Sequence, residues 1–246
     1  MFRIFAGALA VLLLTGTTVH AAANRQFETD TISTANGNLV ITFIGHGTLM
    51  FAFDGKIIHV DPVGSEADYS KLPQADLILV THEHKDHLDP AAIQQLRKEK
   101  TVIITNPAAA KEVPDARVMK NGDVKTVEGI TIEAVPAYNI VNMRSKGVPF
   151  HPKGSGNGYV LTFGDIRVYV AGDTENIPEM KQLKKINIAF LPMNLPYTMT
   201  PQMVADAAKS FMPEILYPYH YGDTDTLEIM DLLKNTEIEV RVRTMK

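Results

Sequence analysis

The stretch Thr81-His82-Glu83-His84-Lys85-Asp86-His87, residues 81–87, crowds three imidazoles and an aspartate into one short loop. It follows directly on residues 76–81 (DLILVT), an apolar β-rich run of the kind that forms a buried strand and delivers its C-terminal loop to a site. Neutral imidazole and carboxylate are donors that Zn2+, Fe2+ and Mn2+ accept. On extended backbone His82 and His84 point the same way, while Asp86 and His87 lie beyond them and can face a second ion, so the spacing favours two adjacent metals. The chain has no cysteine, which excludes thiolate zinc, iron–sulfur clusters, disulfides and a cysteine nucleophile, and leaves any metal to nitrogen and oxygen.

Upstream, residues 38–53 read as two β-rich runs interrupted by Gly45-His46-Gly47, and Asp54-Gly55 turns the chain into a further strand at 56–61. Downstream, Asp89-Pro90 reads as the cap and first residue of a helix over 91–100, followed by a buried strand at 101–105 and a second short helix opened by Asn106-Pro107. Strand signals follow at 123–127, 130–135, 159–163 and 166–171, the last two joined by Gly164-Asp165. Residues 139–158 form a long loop without period, a candidate lid. The final third alternates helices at 178–184, 201–211 and 226–233 with strands at 188–192, 215–218 and 237–242. Two strand-rich halves that each carry helices predict two packed sheets with helices outside, a four-layer α/β arrangement, as one domain over residues 24–246.

The 246 residues are 45% apolar and 21% charged, proportions of a globular chain and not of a disordered, collagenous or multi-span membrane protein. With 24 Lys and Arg against 28 Asp and Glu, the net charge of -4 supplies no electrostatic reason to bind nucleic acid, and a small-molecule substrate is the expected partner. Oligomeric state is not encoded in any pattern here. Residues 1–23 have a basic start at Arg3, an apolar run over 4–14 and small residues at Ala21, Ala22 and Ala23, the order of a cleavable signal peptide. That run is too short for a permanent membrane anchor, so the mature chain is expected to be periplasmic or secreted.

At His82, His84, Asp86 and His87 the sequence resembles the metallo-β-lactamase superfamily, whose signature is His-x-His-x-Asp-His. The likeness runs over about residues 38–242 and includes Val60-Asp61-Pro62, Ala171-Gly172-Asp173-Thr174 and Tyr219-His220. It implies an αββα sandwich with two divalent metal ions, zinc first and Fe2+ or Mn2+ as alternatives. The resemblance assigns His82 and His84 to the first ion, Asp86, His87 and His220 to the second, and Asp173 to both. Asp173 also follows a buried strand and Gly172, which lets backbone approach a site closely. Asp61 is expected to orient a ligating histidine, and His59 to be structural.

One departure stands out. A histidine normally completing the first ion's ligands is replaced by Asn139, which leaves three readings: His151 substitutes for it, Asn139 binds through oxygen, or the first site is weakened or empty. His151, flanked by prolines a few residues on, is ranked first. His46 resembles the early Gly-His pair of the lactonase-like and phosphodiesterase-like branches, where it approaches the metals or the substrate.

Such a site implies hydrolysis of a small ester, lactone or phosphodiester by a metal-bound hydroxide. Asp86 is expected to orient the nucleophile or carry its proton, and His46 or Lys153 to contact the oxyanion. Tyr138, Phe150, Met193, Tyr197 and Met199 are candidate pocket walls. The competing reading is a non-catalytic exported metal- or ligand-binding protein with a degraded first site. A true β-lactamase is less favoured, since its usual histidine segment is missing at Tyr138-Asn139.

Overall fold

The computed structural model describes residues 27–246. The expected leader over 1–23 lies outside the described residues.

Two seven-stranded sheets carry the fold. The first runs β1 (Glu28–Thr34), β2 (Gly37–Gly45), β3 (Thr48–Phe53), β4 (Lys56–Val60), β5 (Leu77–Leu79), β6 (Val102–Thr105) and β7 (Arg117–Val118), in that order across the sheet. Its first half is antiparallel and β4 to β7 are parallel. Asp54 and Gly55 both have positive φ, as a tight two-residue hairpin between β3 and β4 requires.

After β8 (Val124–Val127) and β9 (Ile130–Ala137), a small hairpin of β10 (Met143–Ser145) and β11 (Val148–Pro149) interrupts the chain. Then come β12 (Gly156–Phe163), β13 (Ile166–Val170), β14 (Ile188–Pro192), β15 (Ile215–Tyr219) and β16 (Glu239–Val240). The second sheet is ordered β16-β15-β14-β13-β12-β9-β8 and repeats the first sheet's design, antiparallel on one side and parallel on the other.

The inner faces meet through aromatic rings: Phe51 lies 5.6 Å from Phe163, and Phe43 lies 4.9 Å from Tyr217. Period-two alternation sorts β5, with Leu77 and Leu79 in this inter-sheet core and Ile78 on the opposite face. There Ile78 and Ile103 pack with Ala92, Ile93 and Leu96 of α1 (Pro90–Leu96). On the far side of the second sheet lie α2 (Pro201–Phe211) and α3 (Thr226–Leu233), with Phe211 edge-on to Tyr169 at 5.9 Å. The expected αββα order is thus present.

Several boundaries differ. The helix expected over 91–100 ends at Leu96, because the Leu96 carbonyl accepts the Ala75 N–H and Thr101 bonds both Lys98 N and the Ala75 carbonyl, turning the chain into β6. The segments after Asn106 and at 178–184 are short 3-10 turns, Ala109–Lys111 and Pro178–Gln182. The terminal strand shrinks to two residues on the sheet edge. The long loop holds the β10–β11 hairpin, and β12 begins before the expected Tyr159.

Candidate metal centre

His82, Asp173 and His220 follow the strands β5, β13 and β15 of the parallel halves, while His46 follows β2 and His151 lies just beyond β11. Three of the residues there have left-handed backbone, His46 (φ 50), Asp61 (φ 46) and His220 (φ 48), a conformation that costs energy for residues other than glycine and clusters at functional sites. The His220 N–H donates to the His46 carbonyl at 3.0 Å, tying the bulge after β2 to the end of β15 across the two sheets.

Two groups of donors face one another around Asp173. In the first, His82 Nε2 and His151 Nε2 each lie 3.1 Å from His84 Nδ1, and Asp173 Oδ2 is 3.3 Å from His151 Nε2 and 3.9 Å from His82 Nε2. In the second, Asp86 Oδ2 is 3.7 Å from His220 Nε2 and 4.0 Å from His87 Nε2, and Asp173 reaches the same two nitrogens at 3.5 and 3.3 Å. Four ligands at zinc-like distances around one centre stand about 3.3 Å apart, so both groups are spaced to enclose a cation. His87 Nε2, Asp173 Oδ1 and both ring nitrogens of His220 are buried without a hydrogen-bond partner among the described residues. Such groups are costly unless something pairs with them, and a divalent ion is what this donor set fits.

The surrounding bonds fix the rings. Asp61, fully buried, takes the Thr81 N–H and hydroxyl and holds His87 Nδ1 at 2.8 Å; Thr81 Oγ1 in turn lies 3.0 Å from His82 Nδ1. This is the orienting role expected of Asp61. Asn139 settles into a related role: its Oδ1 accepts the His151 ring Nδ1–H at 2.7 Å and the His151 backbone N–H at 2.8 Å. Its oxygen is therefore directed at His151, whose Nε2 occupies the cluster.

Electrostatics suit a cation. Burial pushes His151 down to about 4 and His82 well below the ordinary imidazole range, leaving neutral donors. Burial alone would raise Asp173 and Asp86, but His220 and His87 facing Asp173, and His220 and His46 beside Asp86, outweigh it and lower both carboxyls. For His87, burial is likewise the largest influence and lowers it; Asp173 and Asp61 together prevail and raise it well above the usual value.

A cavity of about 490 Å³ opens over both groups, lined by Arg144, Phe150, Asn194 and Tyr197 besides members of the cluster. Phe150 and Tyr197 form one wall, edge to face at 5.1 Å. Lys153 is a correction: its Nζ pairs with Glu179 at 2.7 Å and Tyr138 Oη at 3.2 Å, outside this cavity's lining. Met193 and Met199 are fully buried core residues, and Tyr138 is buried too; none of the three lines the cavity. His59 is buried on β4 with Nε2 bonded to the Pro73 carbonyl, a structural histidine.

Sequence reading missed three contributors. Arg144 and Lys85 bring positive charge to the mouth, neither with a carboxylate partner among the described residues. Buried Glu175 accepts the N–H groups of Ile140, Val141 and Asn142 and the Asn139 amide, pinning the loop that carries His151. An acid following Asp173-Thr174 carries no local sign of that task.

The profile of the beta-lactamase superfamily domain matches residues 40–220. The chain belongs to the beta-lactamase superfamily. Within it, a UPF0173 metal-dependent hydrolase of Methanopyrus kandleri is 32% identical over 199 residues, 76% of this chain and 86% of the relative. A crystal structure from Parabacteroides distasonis, described as a metal-dependent hydrolase, is 53% identical with a TM-score of 0.87, covering 90% of this chain and all of that one. Igni18, a metallo hydrolase of Ignicoccus hospitalis, shares the superfamily fold at 24% identity and a TM-score of 0.69, over 83% of this chain and 94% of that one.

Proposed function

We propose that this metal-dependent hydrolase of the superfamily acts after export, using two divalent ions, zinc first, on a small ester, lactone or phosphodiester. The observation that carries the reading is the set of buried donors on His87, Asp173 and His220, unpartnered among the described residues, of which Asp173 and His220 line an open cavity. His82, His84 and His151 would hold one ion, Asp86, His87 and His220 the other, with Asp173 serving both. Divalent ions supply Lewis acidity to the attacked group and bring the pKa of water toward neutrality.

The protein's own part is positioning. Asp86, ionised and half-exposed at the cavity, orients the attacking water and takes its proton toward the leaving group. Arg144 and Lys85 attract an anionic portion of the substrate, and Phe150 and Tyr197 offer an apolar wall to the rest. No nucleophile from the chain is required. The N-terminal pattern over residues 1–23 supports export and removal of that segment.

The test is a panel of bis(p-nitrophenyl) phosphate, p-nitrophenyl esters, lactones and nitrocefin, run with zinc-loaded and chelator-treated protein. Turnover lost on chelation and restored by metal is expected. Asp86→Ala should lower it by about a thousandfold without changing the fold. Full activity of that variant overturns the mechanism, and metal binding without turnover on any substrate favours the binding-protein alternative. N-terminal sequencing of extracytoplasmic protein checks export; an intact Met1 there sinks it.

A further inference from the structure

We propose that His46 is itself a ligand of the second ion, completing a set with Asp86, His87 and His220, and that Lys246 fixes its ring for that role. The inference rests on the dinuclear reading above. One ligand atom from each of these four residues lies within 4.8 Å of the others, which puts His46 inside the cluster and not behind it. Its Nε2 stands 3.4 Å from Asp86 Oδ2, the spacing of two ligands sharing a cation, and its ring centroid is 3.7 Å from that of His220.

The hydrogen-bond pattern assigns the ring's orientation. His46 Nδ1 is 3.2 Å from the Lys246 main-chain oxygen, which only accepts, so Nδ1 carries a hydrogen and Nε2 is the ring nitrogen left to offer a lone pair to a cation. That lone pair faces the Asp86 carboxylate, another acceptor, and a cation between them reconciles the contact. The arrangement repeats what His87 and His151 do, with Nδ1 bonded to Asp61 and Asn139 and Nε2 turned to the cluster. Lys246 is held in turn: Met245 is fully buried, and Tyr221 Oη accepts the Met245 N–H at 3.2 Å while donating to the Arg243 carbonyl at 2.7 Å.

With His46 the second ion would have five candidate ligands, His46, Asp86, His87, His220 and Asp173, against four for the first, His82, His84, His151 and Asp173. The experiment compares wild-type protein with His46→Ala and His46→Gln, each loaded with Co2+ and titrated with a chromophoric chelator while the visible absorption of the metal is recorded. Two ions per chain are expected in the wild type. In His46→Ala one ion should be held as before and the other about tenfold or more weaker, with its absorption band altered; His46→Gln, which keeps the bulk, should weaken the same ion. Wild-type affinity and an unchanged spectrum in both variants overturn the proposal, and are also what a His46 merely paired with Asp86 would give. A wild type that retains no metal would instead remove the dinuclear reading on which the inference rests.

Discussion

Asn139 shows how one side chain's direction decides a site. An amide oxygen is a poor substitute for imidazole on zinc, and here it is occupied by the ring and backbone N–H groups of His151. Asn139→Ala should therefore leave His151 present but unoriented, weakening the first ion about 10- to 100-fold and leaving the second unaffected, as read by chelator competition. The signature residues were legible because their chemistry and spacing lie within one loop. The choice between Asn139 and His151 was not, because both stand on the same long loop and only the β10–β11 hairpin brings His151 back to Asn139.

Among the elements, strand ends matter most. β13 runs out through Ala171 into Gly172, whose φ of 65 and close approach leave no room for a side chain: an added Cβ would meet the Asn157 carbonyl oxygen at 2.9 Å. Gly172→Ala should cost about 2–4 kcal/mol, a left-handed penalty of roughly 1–2 kcal/mol plus the displaced β12 backbone, seen as a lower denaturant midpoint at unchanged slope. It should also loosen metal retention, since Asp173 follows directly. Apolar strands such as β5 and β14 could be read from their composition. β1 (ETDTIST) could not, having little apolar pattern of its own; it exists because β2 supplies a full antiparallel partner. The helix overrun at 97–100 has the same cause, local propensity yielding to the bonds that start β6.

At the scale of the molecule, burial sets acid sensitivity. His59 is enclosed in the first sheet, where desolvation pushes its imidazole down to about 4 against the Pro73 hydrogen bond that raises it. Between that value and the ordinary 6.5 the unfolded chain binds the proton and the folded one does not, so this contribution is complete above about pH 6.5 and is lost as pH falls toward 4. From pH 7 to pH 5 it removes about 2 kcal/mol of stability. Urea unfolding of metal-free protein at both values should show that loss, and His59→Phe should reduce it; an equal loss in both proteins would refute the assignment.

By itself the sequence determined the ligand chemistry, the absence of thiolates, the alternation that makes two buried sheets, and the strand ends at which Asp61, His82, Asp173 and His220 stand, because periodicity and donor type are local properties. Tertiary structure alone decided which of these atoms meet. His46 and Lys246 are 200 positions apart, and Asn106 reaches across to the Ser155 carbonyl, contacts that depend on sheet register and on how two halves close over a shared core. No local pattern encodes such closure, since it is the sum of every strand pairing between the two ends.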